Sequence, residues 1–224
     1  MLSWQVGECG IVSIIIPAYG TEPHIQSLIE EVGKLMVEEY EILVQTEKGY
    51  GRAILTGVKK SRGRVVVIID ADGSHNPIYI PEMIAKLKNA DLVLGSRYIK
   101  GGQNKDVPIR RFVSVLFCLL VRALFRLDIR DPMSGFIVAK KDVFTKLKLN
   151  PIGYKLALEI LVKGRREIKV SEHPIIFEQC KAGKKPVKLS NIVQAIKTLA
   201  LIIRLLLTSE IAFQRHENFE KSEA

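Results

Sequence analysis

Residues 65–69 form an unbroken aliphatic run, Val-Val-Val-Ile-Ile, that passes directly into Asp70-Ala-Asp72. A strand with one face in water alternates polar and apolar side chains, so five aliphatics in a row predict a strand covered on both faces. Such a strand needs helices above and below it. Residues 12–16 repeat the pattern, interrupted only by Ser13 and stopped by Pro17. Between the two runs Ile25, Leu28, Ile29, Val32, Leu35 and Met36 recur at helical spacing and make one apolar stripe. Residues 41–44 read as another strand, and Lys48-Gly-Tyr-Gly51 as a glycine-broken turn opening a helix through Ala53, Ile54 and Val58.

The alternation continues with helices predicted over 77–87, 110–125 and 153–163, strands over 91–94 and 136–139, and an extended stretch over 168–177 broken by Pro174. This order predicts an α/β fold with a mainly parallel, Rossmann-like sheet, right-handed crossovers and helices on both faces. A basic loop at 181–188, a helix over 192–207 and a polar tail at 215–224 follow. The expected organisation is one domain over 1–190, shortened in the 40–50 region, then an amphipathic helix and polar tail over 191–224.

Two segments, 112–125 and 192–207, are strongly apolar but shorter than the roughly 20 residues a spanning helix needs, and Arg122, Lys197 and Arg204 interrupt them. They read equally as core helices or as helices lying in a membrane interface with basic side chains toward headgroups. The 34 basic residues outnumber the 24 acidic ones, giving a formal charge of +10 that favours anionic partners. The basic residues are scattered and aromatics make up only 7% of the chain, so the stacking platforms of a nucleic-acid binder are missing and none is expected as partner. Cys9, Cys118 and Cys180 are far apart and lack CxxC spacing, which fits a reducing cytosol better than a disulfide framework or zinc site. The run at 11–16 is too short for a signal-peptide core.

Asp70 and Asp72 carry the strongest chemical signal, because open α/β sheets bind ligands beyond the carboxyl ends of their strands. Two carboxylates at this spacing can converge on a hard cation bridging a diphosphate. The competing reading is a turn and helix-capping cluster, since Asp-Gly-Ser-His-Asn-Pro77 is rich in turn formers. Arg97 follows a strand, and Arg110 and Ser114 lie one helical turn apart; together they can clamp a phosphate through several donors. Surface solubility is the alternative, and it is the reading given to Arg111, Arg122 and Arg126.

The stretch Ile69-Asp-Ala-Asp-Gly-Ser-His-Asn-Pro77 resembles the metal motif of family 2 inverting glycosyltransferases with the GT-A fold, and within them most the dolichyl-phosphate mannose synthases. Ser13-Ile-Ile-Ile-Pro-Ala-Tyr19, Lys48-Gly-Tyr-Gly-Arg-Ala53, Gly95-Ser-Arg-Tyr98, Asp131-Pro-Met-Ser-Gly-Phe136 and Glu172-His-Pro-Ile-Ile-Phe177 carry the resemblance along most of the chain in the family's order. It implies that Asp70 and Asp72 hold Mg²⁺ or Mn²⁺ and the donor diphosphate, with Ser74 completing the coordination. It places Pro17, Ala18 and Tyr19 beside the donor nucleotide, Arg97, Arg110 and Ser114 on the acceptor phosphate, and Asp131 where it orients acceptor or sugar. Asp72, Asp131 and Arg97 are thus the implied catalytic set. A phosphate acceptor is already ionised and needs no dedicated base.

The chain departs from the family pattern in four places, one of them the Gly-x-Ser-Lys loop, which becomes Gly183-Lys-Lys-Pro186 and keeps positive charge but loses the hydroxyl. The Asp-Asp-Gly-Ser motif after the second strand is missing, as though a strand and helix were deleted, which leaves Glu22 or Glu47 as candidate substitutes on the donor side. Asn-Glu after Pro-x-Tyr is replaced by Gly20 and Thr21. An arginine expected after Pro-Ile-x-Phe is Cys180, with Lys181 beside it as a weaker geometric replacement. The implied function is transfer of a hexose, mannose or glucose, from a nucleotide-diphosphate sugar to a polyprenyl or dolichyl phosphate by a peripheral protein at the cytosolic membrane face. The resemblance leaves room for a membrane-anchoring subunit. The rival is a catalytically weakened homologue that binds lipid phosphate or a membrane partner, and Glu159 is a lesser site candidate that a helix-face carboxylate also explains.

Overall fold

The computed structural model describes residues 10–18, 24–179, 193 and 195–208. A six-stranded sheet forms its centre, in the order β2 (Tyr40–Gln45), β1 (Val12–Pro17), β3 (Val65–Ile68), β6 (Ile137–Lys140), β4 (Leu92–Ser96), β7 (Val170–Pro174). β1 pairs in parallel with β2 and β3, and β4 with β7, while β6 runs antiparallel between β3 and β4. The expected mainly parallel sheet is therefore present, with one reversed strand. A two-stranded ribbon, β5 (Gln103–Asn104) with β8 (Ile176–Phe177), lies beside it.

The aliphatic run at 65–69 divides by alternation between two cores. Val65, Val67 and Ile69 enter the core shared with α1 (Ile25–Leu35) and α3 (Ile80–Lys86), whereas Val66 and Ile68 enter that of α2 (Tyr50–Lys60), α5 (Lys141–Lys146) and α6 (Leu156–Lys163). Full burial of every one of these side chains is why the run tolerates no polar residue. Ser13, the exception in β1, is equally buried, but its hydroxyl donates to Glu41 Oε1 (2.6 Å) and accepts from the Gly63 N–H (2.8 Å). Glycine at 63 is required by this approach, since a Cβ there would fall 2.3 Å from the Ile11 carbonyl oxygen.

The segment expected as one helix over 77–87 begins instead with a 3₁₀ turn, Pro77–Tyr79, before α3. Proline at its first position and the Asn76 side chain accepting from the Ile78 N–H (2.9 Å) favour the tighter opening. β2 is the outermost strand, and residues 46–49 alone connect it to α2, as the missing segment of the family pattern required.

A third core lies beneath α4 (Pro108–Phe125), where Cys118, Val121 and Phe125 meet Met133, Leu158 and Leu201, Ile202 and Leu205 of the C-terminal helix, 195–208. Both apolar segments thus have a core face. They also have an apolar outer face: Phe112 is 67% exposed and Ile196 61%, and Ile109, Leu116, Leu119, Leu199, Ile203 and Leu207 are exposed as well. Among the described residues no helix is long and apolar enough to cross a membrane.

Candidate active site

The antiparallel placement of β6 builds the site. Ile137, at its start, pairs with Ile68 on one side and Leu94 on the other. The loop 131–136 therefore arrives at the same rim as Asp70 beyond β3 and Arg97 beyond β4. Ser134 fixes it there, its hydroxyl donating to the Gly95 carbonyl (2.7 Å).

Asp70 and Asp72 are both partly exposed, neither sealed under hydrocarbon. Asp70 Oδ1 accepts from the Tyr50 hydroxyl (2.7 Å), and Oδ2 lies 3.5 Å from His75 Nδ1. A Cβ on Gly135 would sit 3.2 Å from the same Oδ2, so glycine lets the loop pass against the carboxylate. Burial raises the Asp70 pKa and the Asp72 charge adds to this, while His75, Tyr50 and Lys155 act in the opposite direction. Burial lowers the pKa of His75, which packs between the rings of Phe136 and Phe177 at centroid distances of 5.2 Å each. A neutral imidazole also fits the Asp70 N–H donating to Nδ1 (3.4 Å).

Asp72 Oδ1 accepts from the Ser74 N–H (3.0 Å), a turn made possible by Gly73 at φ 75°. The Ser74 hydroxyl is buried and has no hydrogen-bond partner among the described residues. An unpartnered hydroxyl two residues from Asp72, whose carboxylate its own N–H already contacts, is available to a hard cation at this loop. Among the described residues no group of three or more His, Cys, Asp and Glu forms a metal cage. One or two carboxylates, with phosphate oxygens and water supplying the rest, is the usual setting for Mg²⁺. The residues present fit a divalent ion held jointly with a diphosphate.

Across the rim Arg97 forms a bidentate pair with Asp131, Nε to Oδ2 and Nη2 to Oδ1 at 2.7 Å each, and its backbone N–H also donates to Oδ2 (3.0 Å). Asp131 is wholly buried. The backbone N–H groups of Arg130 and Asp131 in turn donate to the Glu172 carboxylate (2.8 and 2.9 Å). The structure thus makes Asp131 the group that holds Arg97, whose guanidinium lies over Tyr98 (5.0 Å) and Phe177 (5.4 Å). Cys118 Sγ lies 3.7 Å from Asp131 Oδ1, and burial with that charge pushes its thiol up to about 12, leaving it unreactive.

Arg97 also lines an open groove of about 520 Å³ with Tyr98, Asn104, Arg111, Phe112 and Val115. Arg111, read from sequence as a solubilising residue, is therefore the α4 arginine beside Arg97 in this groove. Arg110 and Ser114 lie half-buried on the inward stripe of α4, about two turns and one turn before Cys118 respectively, with Arg110 Nη1 3.7 Å from Asp106 Oδ1. Pro17 and Ala18 end β1 beside Gln45, whose carbonyl accepts from the Ala18 N–H (2.8 Å). Glu47 accepts from the Thr56 hydroxyl (2.9 Å). Tyr19, Glu22 and Lys181 lie outside the described residues.

Two residues take roles that sequence reasoning underweighted. Glu159 is fully buried, and its Oε1 accepts from the Asn150 N–H (2.8 Å), Lys163 (2.7 Å) and Arg204 (3.1 Å), fastening the C-terminal helix to α6. Lys155, just before α6, reaches the Met133 carbonyl (3.2 Å) close to Arg97, Asp131 and Asp70. Its only sequence signal was a lone lysine between Gly-Tyr and the apolar run of α6.

Comparison with known proteins agrees with this arrangement. Residues 40–148 match the family described as Glycosyl transferase family 2. A dolichol-phosphate mannosyltransferase of Pyrococcus furiosus is 32% identical over 225 residues, covering 86% of this chain and 64% of that protein. One from Saccharomyces cerevisiae is 32% identical over 183 residues, covering 76% of this chain and 68% of that protein. This chain thus spans about two-thirds of their length. Glucosyl-3-phosphoglycerate synthase from Mycobacterium tuberculosis, solved with Mn²⁺, uridine diphosphate and phosphoglyceric acid, superposes with a TM-score of 0.66 at 19% identity, over 93% of this chain and 83% of that one. The same enzyme solved with Mn²⁺ and UDP-glucose gives 0.63 at 19% identity, over 90% and 84%. The fold is thus the GT-A fold, and from sequence identity and coverage together the chain belongs to glycosyl transferase family 2.

Proposed function

We propose that this protein transfers a hexose, mannose or glucose, from a nucleotide-diphosphate sugar to a polyprenyl phosphate at the cytosolic membrane face. The observation that carries this reading is one rim holding both a pair of accessible carboxylates and a rigidly paired arginine. The rim lies next to a groove whose α4 wall is apolar on its outer side. Asp70 and Asp72 would hold Mg²⁺ or Mn²⁺, which offsets charge developing on the departing diphosphate. Tyr50 keeps Asp70 turned into the site, and Ser74 adds its free hydroxyl. Arg97, held in one orientation by Asp131, presents its remaining edge to the incoming phosphate, and Arg111 lines the approach, with Arg110 and Ser114 on the inner side of the same helix.

The outer faces of α4 and the C-terminal helix suit a lipid surface. Apolar side chains contact the acyl boundary while Arg111 and Lys197, both exposed, meet anionic headgroups. The dolichol-phosphate relatives favour a lipid phosphate as acceptor. The test is a donor panel, GDP-mannose and UDP-glucose first, incubated with a short polyprenyl phosphate and Mn²⁺. Labelled sugar should enter the lipid fraction from one donor and stop with EDTA. Metal-dependent donor binding without any transfer would instead favour a weakened homologue.

A further inference from the structure

We propose that Lys155 supplies the unpaired positive charge that seats the incoming phosphate. The inference rests on the phosphate-acceptor reading above. Arg97 cannot supply that charge alone, because both arms of its fork are spent on Asp131 and the pair is close to neutral at short range. A phosphate monoester carries about −1.5 to −2 at neutral pH, and here it must approach a second anion, the donor diphosphate. Lys155 differs from Arg97 and Arg110, which are paired with Asp131 and Asp106. Among the described residues its amine makes one hydrogen bond, to a neutral carbonyl, Met133 O at 3.2 Å, and no carboxylate lies within 4.0 Å of its nitrogen.

Position supports the role as well as charge. Lys155 is partly exposed where the chain enters α6. Its bond to the Met133 carbonyl ties it to the loop that carries Asp131 and Gly135; burial and the Arg97 charge lower the pKa of its amine, while Asp131, Cys118 and Asp70 raise it, as an arriving phosphate would. The preceding turn is fixed from the other side. Tyr154 packs on Tyr50 with ring centroids 4.7 Å apart, and a Cβ on Gly51 would lie 2.3 Å from the Pro151 side chain. The segment bearing Lys155 is thereby braced against the same tyrosine that orients Asp70.

The test compares Lys155→Met, which keeps the aliphatic stem, and Lys155→Arg with the wild type. Calorimetry in detergent micelles measures binding of a short polyprenyl phosphate, the corresponding polyprenol, inorganic phosphate, and UDP with Mn²⁺. The expected result is that K155M weakens both phosphates roughly tenfold or more. It should leave the polyprenol and UDP–Mn²⁺ within about threefold, and K155R should recover part of the loss. Unchanged phosphate binding in K155M, or a loss confined to the lipid, overturns the proposal. An equal loss of UDP–Mn²⁺ binding also overturns it, placing Lys155 on the donor or in the structure of the loop. Should K155M not fold, K155R and Lys155→Gln carry the same comparison. A wild type that fails to prefer polyprenyl phosphate over polyprenol would remove the functional reading itself.

Discussion

Replacing Asp131 with asparagine separates a structural carboxylate from one that touches substrate. In the native protein three bonds reach this side chain from Arg97, at 2.7, 2.7 and 3.0 Å, and the carboxylate has no exposure. Asparagine keeps one acceptor oxygen but turns an NH₂ toward a guanidinium, and it leaves the arginine charge only 11% exposed with no counter-ion. Removing one member of a buried pair costs about 3–5 kcal/mol. The retained acceptor and the slight exposure of Arg97 argue for the lower end, about 3 kcal/mol. For a domain of this size each kcal/mol moves the melting midpoint by about 2–4 °C, so Asp131→Asn should lower it by roughly 6–12 °C. Calorimetry checks the shift. A cycle with Arg97→Gln checks its origin, because the double variant should recover about 2 kcal/mol relative to additivity. A midpoint within about 2 °C of wild type, or strict additivity, would refute the view that Asp131 acts by holding Arg97.

Gly135→Ala should weaken Mn²⁺-dependent donor binding severalfold with little change in melting midpoint, because the new methyl presses on Asp70 Oδ2 at 3.2 Å and the Tyr50 hydroxyl at 3.4 Å; titration calorimetry decides, and unchanged affinity would show the carboxylate gives way freely. Glu159→Gln should loosen the C-terminal helix by roughly 2 kcal/mol, discounted because Arg204 and Lys163 are 27% and 29% exposed; hydrogen exchange should quicken across 195–208 ahead of the sheet, and uniform exchange would contradict this. Burial pushes the Glu41 pKa up, but hydrogen bonds from Ser13, the Arg62 backbone and its guanidinium outweigh that and hold it at about 2 against an ordinary 4.5. The folded value is the lower one, so its stabilisation is complete above pH 4.5 and fades as pH falls toward 2. In urea titrations Glu41→Gln should flatten the stability profile in that window, and an unaltered slope there would rule the group out.

What the sequence disclosed follows from what alternation can encode. The run at 65–69 announced a doubly covered strand because each successive side chain had to enter one core or the other, and the acids after it were legible because ligands gather at strand ends. The direction of β6 was invisible. Phe136 and Val138 feed one core and Ile137 and Ala139 the other, and that pattern reads the same forwards and backwards. Yet the reversal is what carries Asp131 and Gly135 to the rim. Lys155 was hidden for a different reason: among 34 basic residues nothing local marks the one whose amine lies near two carboxylates without pairing to either.

The ambiguity over α4 had a cause that itself bears on function. A helix with one wet face has a phase, and the phase tells which arginine turns inward. Along 108–125 apolar residues occur on every side, so phase could not separate Arg110 from Arg111, and only the spacing to Ser114 and the family resemblance set Arg110 apart. The structure divides them, Arg110 with Ser114 and Cys118 on the inner stripe and Arg111 beside Phe112 in the groove. A helix whose outward face stays apolar despite its exposure is costly in water unless that face has a partner. The feature that blurred the reading of the arginines is therefore the one that argues for a lipid boundary along α4. Under the proposed function, the long tail of a polyprenyl phosphate would run there from the groove, with its head against Arg97.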